Sequence, residues 1–211
     1  MIPTFSINSK ENTLISEAYE TAMRDLNEFF DIKWTKDTPK IFIVDDRKTI
    51  DLFLEKETPA WSVGWTWTKN AIIIMNPDNI GQESTHKYTE EDIRKLIKHE
   101  LCHCFYRSIC YHTKPNWLTE GTSLFVADQL DKYKVPDVFF KFLTDERNYN
   151  EAGFAINLLV DTFGKNKFLE FLKSIRGINQ DEGIFEKFEY AYNSKPTYEF
   201  FNRLLSANNL G

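Results

Sequence analysis

The first part of the chain alternates between helical and strand-like spacing of its apolar side chains. From Ser9 to Phe30 the apolar residues recur at helical spacing with acids and lysine between them, which predicts an amphipathic helix. The short apolar run from Lys40 to Val44 predicts a strand, and a short helix is expected to follow through Leu52 and Phe53. This part of the chain therefore combines helices with at least one strand.

Two further strands are predicted from a segment in which apolar and small or polar residues alternate. The alternation runs from Trp61 to Trp67, and a turn at 69–70 leads into a second apolar run from Ala71 to Met75. One face of the first strand would carry the side chains of Trp61, Val63, Trp65 and Trp67. We expect this face to pack in the core. The alternative left open is that part of it lines a groove for apolar substrate side chains, beside an edge strand that pairs with an extended peptide.

The rest of the chain has helical spacing. Thr89 is expected to begin a long helix, since Glu91 and Asp92 would occupy its first turn, and the pattern predicts its end within 108–111. Further helices are predicted over 117–131, 136–144, 151–163, 165–176, 182–192 and 196–206. The predicted fold class is α+β and mostly helical, as one domain with an N-terminal α/β lobe over 1–88 and a helical lobe over 89–211.

Composition narrows the classes of function. A chain of 211 residues with 42% hydrophobic and 27% charged residues is typical of a soluble globular domain. The net charge is −6 and the lysines are interspersed with acids, so we expect no nucleic-acid partner, because phosphate binding needs a basic stripe. The start of the chain does not resemble a signal peptide, and no apolar run could span a bilayer. We therefore expect a cytoplasmic protein without a membrane partner, of undetermined oligomeric state.

Three cysteines fall in or near the long predicted helix. They are Cys102, Cys104 and Cys110. Their odd number and close spacing argue against a disulfide framework, so we expect reduced thiols, with Cys102 buried and inert.

The long predicted helix contains two histidines four residues apart, in the segment His99-Glu100-Leu101-Cys102-His103. Residues at this spacing project from the same face of a helix, so His99 and His103 can bind one metal ion together. Glu100 lies around the corner from that face, which makes it a poor ligand but a suitable general base for a metal-bound water. A hydrolytic zinc ion usually has three protein ligands, so a third donor is expected elsewhere.

Glu120, in the segment Trp117-Leu118-Thr119-Glu120-Gly121, is the expected third ligand. A helix end and a turn signal at 114–116 separate it from His103, so a second helix can bring its carboxylate back along the first. Gly121 removes a side chain where the two backbones must approach closely. The alternative role for Glu120 is an acid in the first turn of a helix, where it would complement the helix dipole. The two roles are compatible.

Together the two motifs resemble those of the gluzincin branch of the zincin metallopeptidases, which includes thermolysin and the zinc aminopeptidases, and especially its small peptidase-MA-like members. The resemblance covers roughly 72–204 and is specific only over the two motifs. It implies a zincin-like fold with the metal site between the two lobes. It also implies Zn²⁺ on His99, His103 and Glu120, with Glu100 as general base in the hydrolysis of a peptide or protein substrate.

Other residues agree with the resemblance less closely. Tyr149 precedes an apolar helix, as does a tyrosine of those relatives, which implies a catalytic role for Tyr149 as a donor to the oxyanion. Thermolysin has an aspartate four residues after its glutamate ligand to orient a zinc histidine, whereas this chain has Leu124 there. His86 and His112 have no partner at ligand spacing, and we expect both to lie at the surface.

The expected function is therefore that of a zinc-dependent peptidase, but two alternatives remain open. In the first, the same zinc site stabilises a non-catalytic peptide-binding or regulatory protein. In the second, the chain is a protease-like domain of the SprT type, which also favours the pattern H-E-L-C-H but uses a third histidine. No third histidine is suitably placed, so we rank this alternative last.

Overall fold

The computed structural model describes residues 4–9, 11–145 and 148–208. These residues form an α+β fold, mostly helical with one three-stranded sheet, as the sequence predicts. The chain divides into two compact units, 1–104 and 105–211. Within the described ranges, no helix combines the length and the apolar character needed to cross a membrane.

The helices and strands follow one another in this order: α1 (Thr13–Phe30), β1 (Lys40–Val44), α2 (Arg47–Leu54), β2 (Gly64–Thr68), β3 (Ala71–Met75), α3 (Ile80–Glu83), α4 (Glu90–Cys110), α5 (Asn116–Val126), α6 (Tyr149–Phe163), α7 (Lys165–Ser174), α8 (Asp181–Tyr192) and α9 (Tyr198–Asn208). Short 3₁₀ turns lie at Pro77–Asn79 and Leu130–Lys132.

The sheet of the first unit has the strand order β1-β3-β2. β3 is central and wholly buried, pairing in parallel with β1 and antiparallel with β2. The predicted strands at 40–44 and 71–75 are confirmed. Each is an apolar run bounded by polar residues, which is a local signal for a buried strand. The predicted strand at 61–67 is partly wrong, since β2 begins at Gly64 and leaves Trp61 exposed.

The start of β2 is set by hydrogen bonds from Arg47, which the alternating pattern of the sequence does not reveal. The Arg47 guanidinium donates hydrogen bonds to the carbonyl oxygens of Pro59, Ala60 and Ser62 at 2.8 to 3.1 Å. It also donates to the carbonyl of Glu83 at the end of α3, at 2.7 and 3.0 Å. These bonds satisfy carbonyl groups of 59–62 outside the sheet, so strand pairing starts only after this segment.

One face of β2 is aromatic but only partly buried. Trp67 makes edge-to-face contacts with Phe42 of β1 and Phe53 of α2, at ring centroid distances of 5.9 and 4.6 Å. Phe5 also makes an edge-to-face contact with Phe53, at a ring centroid distance of 5.1 Å. Trp67 nevertheless remains 45% exposed, so the prediction that this face is core holds for Val63 and not for Trp67.

Helix α4 begins where the sequence predicts. The Thr89 backbone N–H donates to Oδ2 of Asp92 at 2.8 Å, and the Asp92 N–H donates back to Oγ1 of Thr89 at 3.2 Å. This reciprocal pair is a capping box, which satisfies backbone donors that have no partner within the helix. The helix ends at Cys110, inside the predicted range, and all residues from 100 to 106 are buried.

In the second unit the predicted helix over 136–144 is wrong. A buried carboxylate, that of Glu151 in the first turn of α6, accepts the backbone N–H groups of Phe140, Lys141 and Phe142 at 3.0 to 3.2 Å. A helix would have used these donors within its own turns, whereas here a residue from another element takes them. The predicted helix over 117–131 ends earlier, at Val126, and a 3₁₀ turn follows at Leu130–Lys132. The predicted helices over 151–163, 165–176, 182–192 and 196–206 are confirmed to within a few residues as α6 to α9.

Two glycines allow α5 and α6 to pack closely. A Cβ placed on Gly121 of α5 would lie 2.5 Å from the carbonyl oxygen of Ala152 in α6. A Cβ placed on Gly153 of α6 would lie 2.5 Å from Cδ2 of Leu130 and 3.2 Å from Cβ of Leu124. Gly121 therefore has the role that the sequence predicts for it, a close approach of backbones, although the partner helix here is α6.

The three cysteines are buried and none of them forms a disulfide, as predicted. Burial raises the pKa of the Cys110 thiol to about 12, while a hydrogen bond with Tyr106 acts in the opposite direction. The thiolate is the reactive form of cysteine, so a raised pKa and lack of access both suppress its chemistry.

We predict that Gly121→Ala lowers the free energy of unfolding by about 2 kcal/mol, because the added Cβ meets backbone that cannot move without shifting α6. Urea denaturation would measure this loss. Gly81→Ala is the matched control, since nothing lies within 4 Å of a Cβ at Gly81. Equal stabilities for the two variants would contradict the close packing of α5 on α6.

We predict that Cys110 in the native protein resists alkylation by iodoacetamide at pH 8 and is modified fully once urea unfolds the chain. The reason is the pKa of about 12 together with complete burial. Mass spectrometry of the labelled peptides would measure both states. Native labelling of Cys110 as fast as that of a free thiol in solution would show that this part of α4 opens readily.

Candidate metal centre

Helix α4 brings its two histidines together as the spacing predicts. The Nε2 atoms of His99 and His103 are 3.1 Å apart, and the ring planes meet at 82°. Two nitrogens bound to one tetrahedral zinc ion, each at about 2.05 Å, are about 3.3 Å apart. His103 is buried and His99 is half-buried. The two imidazoles therefore already have nearly the separation that a shared ion requires.

Glu120 completes the group that the sequence predicts. The candidate ligand atoms of His99, His103 and Glu120 all lie within 4.8 Å of one another. In the described part of the chain, this is the one group of three or more histidine, cysteine or carboxylate side chains placed to hold a metal ion. The alternative role for Glu120, an acid in the first turn of its helix, does not apply, because Glu120 follows the first turn of α5.

The donor set fits zinc. Two imidazole nitrogens and one carboxylate oxygen are the three protein ligands of many hydrolytic zinc sites, in which a fourth position takes water or substrate. Cys102 lies between the two histidines in sequence but is fully buried and does not belong to the group. The group therefore has nitrogen and oxygen ligands and no sulfur ligand, which softer metal ions prefer.

Glu100 is buried and its carboxylate is directed to β2. Its Oε2 accepts a hydrogen bond from Oγ1 of Thr66 at 2.7 Å, and its side chain is 6% exposed. Glu100 is not among the three clustered ligands, although it is adjacent to His99 in sequence. This placement agrees with the prediction that Glu100 is a poor ligand.

Two residues of the site were missed by the sequence reasoning, Thr66 and Gly64. Both lie on the face of β2 that contacts Glu100, since a Cβ on Gly64 would be 3.1 Å from Cγ and from Oε1 of Glu100. The alternation from Trp61 to Trp67 does separate these two residues from the tryptophans. It does not reveal which helix packs on their side of the strand.

Tyr149 is the first residue of α6 and is half-buried. It precedes Ala152 by one helical turn, and Ala152 is the residue whose carbonyl approaches Gly121, next to Glu120. Tyr149 therefore lies on the side of α6 that packs against α5. Its role as an oxyanion donor stays a prediction.

Leu124, four residues after Glu120, fills the contact between α5 and α6. Its side chain is buried, with Cβ 3.2 Å from the position of a Cβ on Gly153. A carboxylate at this position would enter an apolar contact rather than reach an imidazole.

The two remaining histidines have different surroundings. His86 is exposed, as predicted. The same prediction is wrong for His112, which is buried and whose Nε2 donates to the carbonyl oxygen of Ile175 at 3.0 Å. Lone histidines give no sequence signal for such a contact, because the acceptor lies more than sixty residues away in the chain.

Comparison with known protein families, with curated proteins and with solved structures finds no match for this chain.

We predict that the purified chain retains about one equivalent of Zn²⁺ after dialysis, and that His99→Ala or His103→Ala weakens binding by at least about 100-fold, because each removes one of three ligands. Elemental analysis and competition with a zinc-binding dye would measure both. His86→Ala is the matched control, since this exposed histidine lies outside the group. Undiminished zinc binding by His99→Ala would place the ion elsewhere.

Proposed function

We propose that this chain is a zinc-dependent peptidase of the gluzincin type with a zincin-like fold. The observation that supports this most directly is the clustering of His99, His103 and Glu120 within 4.8 Å. A second carboxylate, that of Glu100, follows His99 in the sequence. It is buried and accepts a hydrogen bond from Thr66, and it is not one of the grouped ligands. Ligands and base are thus separate groups, as hydrolysis by an activated water requires.

Glu100 has the role of general base in this proposal. Zn²⁺, when bound by the three ligands, supplies a Lewis acid that polarises a carbonyl and lowers the pKa of water. Glu100 accepts the proton of the attacking water and then transfers it to the leaving amine. Tyr149 is proposed to donate a hydrogen bond to the oxyanion of the tetrahedral intermediate, a role supported by its place on the α5-facing side of α6.

The free edge of β2 supports an extended peptide as the substrate. Met75 N–H donates to the Val63 carbonyl at 2.8 Å, which makes Val63, and by alternation Trp65, the positions that bond to β3. Thr66 lies between such positions, opposite Ile72, so its backbone N–H and C=O point away from β3. Within the described residues no strand pairs with this edge.

A peptide paired with Thr66 would therefore run beside the carboxylate that the Thr66 side chain contacts. Main-chain pairing recognises extended backbone of almost any sequence. Trp67, which lies on the same strand and is partly exposed, adds apolar surface. We propose peptides or unfolded protein segments as the substrate class.

We predict that Glu100→Gln retains zinc and lowers kcat by at least about 1000-fold, because the amide cannot accept the proton of the attacking water. Mass spectrometry of a peptide library incubated with each protein would detect the products, and elemental analysis would verify the zinc content. Glu91→Gln makes the same substitution on an exposed turn of the same helix and should leave kcat unchanged.

Two results would contradict the proposal in different ways. Cleavage by Glu100→Gln at the rate of the wild type would show that Glu100 is not the base. Zinc bound by a wild type that releases no products from the library would favour a non-catalytic peptide-binding protein with the same metal site.

A further inference from the structure

The Thr66 hydroxyl makes a short contact with the carboxylate that the proposed function uses as a base. Its Oγ1 is 2.7 Å from Oε2 of Glu100 and 3.0 Å from the backbone carbonyl oxygen of Glu100. A threonine hydroxyl has one proton to donate. The contact with Oε2 is the shorter of the two, so we assign the hydroxyl proton to it.

Gly64 leaves room for the same carboxylate on a second side. A Cβ at this position would lie 3.1 Å from Cγ and from Oε1 of Glu100, and 2.8 Å from Cδ1 of Leu96. The absence of a side chain at Gly64 therefore leaves the space that the Glu100 side chain occupies.

Thr66 is paired with the central strand, next to an irregularity in register that lies between Thr66 and Thr68. Its strand position is set by pairing with Ile72 of the buried central strand. The chain enters β2 from the segment that Arg47 clamps through the carbonyls of Pro59, Ala60 and Ser62. A donor on a paired strand can hold a carboxylate in one orientation.

We propose that Thr66 is a positioning residue for Glu100: its hydroxyl donates to Oε2 and so fixes the orientation of the carboxylate that the proposed function uses as a base. This inference rests on the proposed function. Because the Thr66 backbone also faces the free edge of β2, the residue that aligns the base is the one that would pair with the substrate. Thr66 would then position both the substrate, through its backbone, and the base, through its hydroxyl.

Steady-state kinetics of the zinc-loaded chain would test this inference. Thr66→Val keeps the shape of the side chain and removes the donor, so we expect kcat to fall about 10- to 100-fold, with KM within about twofold and full zinc content. Thr66→Ser restores the hydroxyl and should return kcat to within about threefold of the wild type. Thr68→Val is the matched control, because Oγ1 of Thr68 accepts the backbone N–H of Asn70, away from Glu100.

A second measurement does not depend on activity. Thermal unfolding of the wild type, Thr66→Val, Glu100→Ala and the double variant forms a double-mutant cycle. If the hydroxyl holds the carboxylate, the Tm loss of the double variant should be smaller than the sum of the single losses by at least about 2 °C. A purely structural role of Thr66, independent of Glu100, predicts additive losses.

The outcomes separate this inference from the proposed function. An active wild type whose kcat survives Thr66→Val, or additive losses in the thermal cycle, would overturn the role of Thr66 and leave the peptidase proposal intact. A wild type without activity would overturn the peptidase proposal and the catalytic role of Thr66 together, even if the cycle still reported a contact between the two residues.

Discussion

The candidate site depends on the geometry of one helix. In α4 a spacing of four residues brings the Nε2 atoms of His99 and His103 to 3.1 Å, while the residue after His99 points in another direction. Glu100 therefore meets β2, where its carboxylate accepts a hydrogen bond from the Thr66 hydroxyl, and does not join the ligand group. The capping box at Thr89 and the consecutive buried residues from 100 to 106 fix the helix in place.

Among the residues that the structure describes, two carboxylates are buried, those of Glu100 and Glu151, and each has a different hydrogen-bond partner. Burying a carboxylate is costly unless donors compensate for the lost water. Glu151 accepts three backbone N–H groups and so holds the segment 140–142 in a non-helical conformation. Glu100 meets a side-chain donor from a neighbouring strand. One carboxylate thus shapes the backbone, whereas the other joins α4 to β2 through a side-chain hydrogen bond.

The predictions from sequence succeeded where the signal is local. The capped start of α4, the apolar strands β1 and β3 and the four-residue histidine spacing each depend on neighbours along the chain. They failed where a distant residue decides the backbone. The segment 136–144 has the apolar content of a helix, but Glu151 takes its amide protons. The strand β2 starts late because Arg47 binds the carbonyls before it.

The same distinction explains which part of the site could be predicted. His99, Glu100 and His103 are legible because a single turn of helix defines their geometry, and Glu120 adds one predictable turn between two helices. Thr66 could not be found in this way, because a period of two tells which residues share a face and not what that face contacts. Its importance comes from packing α4 against β2, with Gly64 leaving the space in which Glu100 fits. A search for the partners of a buried helix carboxylate should therefore begin at the small and hydroxylated positions of the strand that the helix covers.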